Sequence, residues 1–76
     1  MQFTITQTSE TILNIEIVKE KNKYIAKVKR DYFITDEDEY ECWIEDNGTL
    51  MCEPTSSDEE YDAIIETFCN YIKQLN

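Results

Sequence analysis

Seventy-six residues are enough for one domain with one hydrophobic core, and too few for a deep substrate cavity. An apolar content of 41% argues against disorder, and 17 Asp/Glu against 7 Lys/Arg give a net charge of −10. Such a surface repels nucleic acid and anionic membranes, attracts a basic protein, and costs the folded state self-repulsion.

The chain opens with Phe3 and Ile5 alternating with Thr4 and Thr6, a short strand signal. From residue 11 to 19 the signal is clearer, with Leu13, Ile15 and Ile17 on one face and Asn14 and Glu16 on the other. A second strand spans 24–30. If Lys21-Asn22 is a two-residue loop, Ile17 faces Ala26, Ile15 faces Val28 and Glu16 faces Lys27, so both faces are chemically consistent. Arg30 falls on the inward parity, which raises the option of a bulge near Arg30-Asp31; the even-numbered face continues through Tyr32 and Ile34. Residues 35–39 read as a solvated acidic loop, because four adjacent carboxylates repel.

Around Asp46-Asn47-Gly48 a second hairpin joins strands 40–45 and 49–53. A two-residue Asn-Gly loop sets Trp43 opposite Cys52 and mixes charged with apolar side chains on each face. A three-residue loop, with Gly48 supplying the left-handed residue, sets Ile44 opposite Leu50 and Cys42 opposite Cys52. Tyr40 joins that apolar side, and Glu41, Trp43, Glu45, Met51 and Glu53 share the other. The clean partition favours the three-residue loop. Pro54 ends the strand. Ser57 and Glu60 stand at capping-box spacing, and Tyr61, Ile64, Ile65, Phe68, Ile72 and Leu75 mark an amphipathic helix. The expected fold is α+β: an antiparallel meander sheet of four to five strands with one C-terminal helix packed on one face.

Several chemistries are excluded by composition. Without His there is no His-based triad or His-ligated zinc, and a single Gly leaves no phosphate-cradling loop. Asp36-x-Asp38 starts like a calcium-binding loop but lacks the Gly at position six and the Glu at position twelve. No metal, cofactor or catalytic residue is expected. Cys42, Cys52 and Cys69 read as packing residues. No apolar run approaches a membrane span, and the N-terminal residues lack the features of a signal peptide, so a cytoplasmic location with reduced thiols is expected.

What remains is charge. Residues 1–30 carry six Lys/Arg and three Glu, net +3; residues 31–76 carry fourteen Asp/Glu and one Lys, net −13. The stretch from Asp36 to Asp46 holds seven carboxylates, among them Asp36, Glu37, Asp38 and Glu39, together with the only Trp. Glu41, Glu45 and Glu53 share a sheet face with Trp43 and Met51, and Glu59, Asp62 and Glu66 line the outer side of the helix. Alternate strand residues are about 6.7 Å apart, comparable to two nucleotide steps, so such rows stand in for phosphates. An aromatic ring among carboxylates suits an Arg-rich partner. The plainer reading of the same residues is a solvated face, with Trp43 covering a sheet edge or joining a homodimer.

In size, acidity, lack of catalytic residues and strand-then-helix plan, the chain resembles the small phage-encoded inhibitors of bacterial defence nucleases, notably anti-CRISPR proteins and DNA mimics. The resemblance implies a cytoplasmic inhibitor that binds a basic nuclease or effector complex in its nucleic-acid groove, touching neither nucleic acid nor membrane. An immunity protein or antitoxin for a basic toxin, and a small dimeric accessory domain, are the competing readings.

Overall fold

Alternation of apolar and polar side chains draws most of this chain into strands. The computed structural model describes residues 2–8, 11–31, 36–55 and 58–75. Among them run β1 (Gln2–Gln7), β2 (Ile12–Glu20), β3 (Lys23–Asp31), β4 (Asp36–Ile44), β5 (Leu50–Glu53) and then the helix α1 (Glu59–Gln74). The strands form an antiparallel meander in chain order. The fold is thus α+β, with five strands and a C-terminal helix.

Both hairpins take the expected registers. Ile15 pairs with Val28, Glu16 with Lys27 and Ile17 with Ala26, closed by Lys21-Asn22. Lys21 accepts a left-handed conformation there, at φ 57°, a cost that a β-hairpin tolerates because such a turn matches the strand twist. In the second hairpin Ile44 pairs with Leu50 and Cys42 with Cys52. The turn is closed by Glu45 N–H to Thr49 O at 2.8 Å and Gly48 N–H to Glu45 O at 2.9 Å. Gly48 sits at φ 89°, where an L side chain is strained.

Three expectations are corrected. The acidic stretch 36–39 is the first half of β4, not a loop; Thr35 lies outside the described residues, as do Tyr32, Phe33 and Ile34. Cross-strand charge explains the strand: Lys29 stands opposite Glu37 and Lys27 opposite Glu39, and opposite charges at such positions attract. No bulge interrupts β3, because Arg30 stays inward opposite Leu13 and finds a carboxylate there. The helix is capped by Asp58, whose Oδ1 accepts from Tyr61 N–H at 2.9 Å. Ser57, the expected cap, lies outside the described residues.

Leu13, Ile15, Ile17, Ala26, Val28, Tyr40, Cys42 and Cys52 are buried in one cluster with Ile64, Phe68 and Tyr71 of α1. Tyr24 reaches the same cluster, its ring 5.2 Å from that of Phe68. The helix contacts β5, β2 and β1. Truncating Phe68, which is fully buried, to Ala removes about 3–5 kcal/mol. Ile5→Ala, at a side chain 65% exposed, stays within about 0.5 kcal/mol. Urea unfolding of the two variants reads this difference directly.

Candidate protein-binding surface

Register determines what each strand shows. With Leu13, Val28, Tyr40 and Cys52 committed to the core, the opposite side presents Val18, Ile25, Glu41 and Glu53 in one cross-strand row. Trp43 and Met51 face each other beside that row, both half-buried. Trp43 is diagonal to Ile25, within reach of an aromatic ring. Ile25, although on this side, is only 8% exposed, so its neighbours on this face shield it from water.

Glu41 and Glu53 are both exposed and stand directly opposite one another. Like charges in that position destabilise a sheet. Lys23 Nζ approaches Glu41 Oε2 at 3.5 Å, with both side chains about half exposed, so solvent screens most of that attraction. Glu45 lies just beyond β4, exposed, at the hairpin end. Five of the expected site residues, Glu41, Trp43, Glu45, Met51 and Glu53, therefore share one end of one sheet face.

The remaining acids fall elsewhere. Glu37 and Glu39 line a groove of about 440 Å³ together with Asn14, Glu16, Lys27 and Lys29, where cations and carboxylates alternate. Asp38 turns to the other side, with Oδ2 3.6 Å from Arg30. Asp36 stands opposite Arg30 in the ladder. Glu37, Asp38 and Glu39 stand beside the basic strip of β3, which partly neutralises them. Glu59, Asp62 and Glu66 are exposed on α1, the first two in its first turn, where the helix dipole favours them.

Sequence reasoning missed one polar cluster. Arg30, 8% exposed, donates from Nε to Glu60 Oε1 and from Nη2 to Glu60 Oε2, both at 2.5 Å. Tyr40 Oη donates to Glu60 Oε2 at 2.6 Å. The bidentate geometry fixes the start of α1 against β3 and β4. Its signal was present in the inward parity of Arg30, since a buried guanidinium requires a carboxylate; the capping-box reading had assigned Glu60 another role. The Arg30 hydrogen bond, with a smaller contribution from Tyr40, holds the Glu60 carboxyl below its ordinary range. Burial, then the Glu60 hydrogen bond, pushes the Tyr40 phenol up to about 12.

Among the described residues no three Cys, Asp or Glu side chains converge on a cation position. No helix among them is long and apolar enough to cross a membrane. No protein-family model, curated protein or solved structure matches this chain.

The Arg30–Glu60 pair sets the acid limb of stability. Because the folded pKa of Glu60 lies below its unfolded value of about 4.3, its contribution is complete above that pH and fades as pH falls through the folded value. Tyr40 behaves oppositely: its contribution is complete below about pH 10 and fades as pH rises towards 12. Glu60→Gln takes the bidentate carboxylate from a buried guanidinium, leaving it the more distant Asp38 Oδ2 at 3.6 Å, and costs roughly 2 kcal/mol. Melting temperature measured against pH is expected to show a shallower acid limb in Glu60→Gln than in the parent chain.

Proposed function

We propose that this chain is a non-catalytic, acidic protein-binding inhibitor, acting in the cytoplasm, that occupies the basic nucleic-acid groove of a nuclease or CRISPR-type effector. The observation that carries the reading is the pairing of Trp43 with Met51 beside the opposed carboxylates of Glu41 and Glu53. An isolated fold gains nothing from placing two glutamates face to face. A guanidinium arriving between them relieves the repulsion, forms charge-assisted hydrogen bonds and stacks on the indole.

The reading takes α1 to cover the face that carries Leu13, Ile15, Ala26 and Cys42, which leaves the Trp43 face open to a partner. The shared burial of Ile64 and Phe68 with those residues supports this arrangement. The helix acids Glu59, Asp62 and Glu66 then extend the negative field beyond the sheet and steer a basic groove towards it. Exposed acids on a small sheet lack the enclosure that raises a carboxyl pKa for acid–base work, which favours binding over catalysis.

Affinity capture from a bacterial lysate, followed by titration of the captured partner, tests the proposal. Binding is expected to weaken steeply as salt rises from roughly 0.05 to 0.5 M. Trp43→Ala is expected to cost about 2 kcal/mol or more of binding. Glu53→Gln is expected to stabilise the free chain by a few tenths of a kcal/mol, roughly the size of one cross-strand pair, while slowing association. Binding that is indifferent to salt, or unchanged in Trp43→Ala, contradicts the proposal.

A further inference from the structure

We propose that Cys42 and Cys52 are a dithiol–disulfide pair, whose two-electron oxidation by a small-molecule disulfide cross-links β4 to β5. The inference is independent of any partner. The two residues are directly opposed in the antiparallel ladder. Residues so placed have Cα atoms about 4.5–5.5 Å apart, inside the span of about 4.4–6.8 Å that a disulfide bridges. As free thiols their sulfurs lie 2.8 Å apart. The Cys42 sulfur also lies 3.9 Å from the Tyr40 carbonyl oxygen, farther than its partner sulfur. Closing the bond therefore requires little motion of either strand.

Both thiols are fully buried, so oxidation depends on local opening. The weak side is β5, a four-residue strand at the edge of the sheet, followed by Pro54. Its Cys52 is held from outside the sheet by Tyr61 Oη, which lies 3.3 Å from the Cys52 nitrogen and 3.4 Å from its carbonyl oxygen. Short edge elements open well below the free energy of global unfolding. When β5 opens, the Cys52 thiolate attacks one sulfur of oxidised glutathione, forming a mixed disulfide and releasing one glutathione thiolate. The Cys42 thiolate then attacks the Cys52 sulfur and releases the second. The two protons leave with the two glutathione thiols; the protein loses two electrons and the glutathione disulfide gains them. The product closes the loop 42–52 and fixes the register of the hairpin that carries Trp43. Cys69, on α1 and half-buried, is not part of the pair.

The test uses the folded chain, equilibrated with oxidised glutathione, alkylated, and digested with a Glu-specific protease. Expected are a mass about 2 Da below that of the dithiol form, alkylation at Cys69 alone, and peptides 42–45 and 46–59 joined by a reducible bond, the Glu53-Pro54 bond resisting cleavage. The oxidised form is expected to melt roughly 10 °C higher than the reduced form, and Cys69→Ser to keep the bridge. Three alkylated cysteines after oxidation, glutathione retained on Cys52 without a bridge, or a bridge that lowers the melting temperature each overturn the proposal.

Discussion

At φ 89°, Gly48 lets the second hairpin turn over three residues instead of two, and the use of every side chain in β4 and β5 depends on that one residue. The three-residue turn sends Tyr40, Cys42 and Cys52 into the core and leaves Glu41, Trp43, Met51 and Glu53 on the other side. A turn one residue shorter flips the side chains of β5 relative to those of β4, because strand side chains alternate with a period of two. It would set Met51 and Glu53 on the side of Cys42, and Cys52 on the side of Trp43, mixing charged with apolar side chains on each face. The apolar cluster with Ile64 and Phe68 therefore selects the register, and the turn makes that register accessible without strain.

The same register divides the acidic half of the chain into groups with different physical roles. Glu37 and Glu39 stand opposite Lys29 and Lys27 across the ladder, so the densest run of carboxylates is matched by cations on the neighbouring strand. Glu60, one acid in an unremarkable run at the helix start, holds Arg30 and Tyr40 and ties α1 to the sheet. Glu41 and Glu53 are directly opposed beside Trp43, with the exposed Lys23 near Glu41. Net charge alone would have placed the emphasis on residues 36–39. Pairing moves it to the hairpin end.

Much of this was legible in the sequence because hydrophobic periodicity and turn chemistry are local. The alternation around Ile15, the Asn47-Gly48 turn and the apolar stripe from Tyr61 to Ile72 each carry their own signal, and the two hairpin registers follow from requiring clean faces. The acidic start of β4 was not legible, since like charges adjacent in sequence read as a loop until their cross-strand cations are known. Lys27 and Lys29 supply them from ten or so residues away. The Arg30–Glu60 pair was hidden for the same reason: it joins residues thirty apart, and only the three-dimensional packing of α1 brings them together. The Asp58 cap was displaced by a capping-box pattern that the spacing of Ser57 and Glu60 imitates.

Interstrand proton contacts measured by nuclear magnetic resonance on the reduced chain test the register most directly. The three-residue turn predicts backbone contacts between Cys42 and Cys52, and side-chain contacts between Trp43 and Met51. Contacts of Trp43 with Cys52 and of Ile44 with Met51 would mean the two-residue turn, placing Trp43 and Cys52 on one face and contradicting both the binding surface and the cysteine pair.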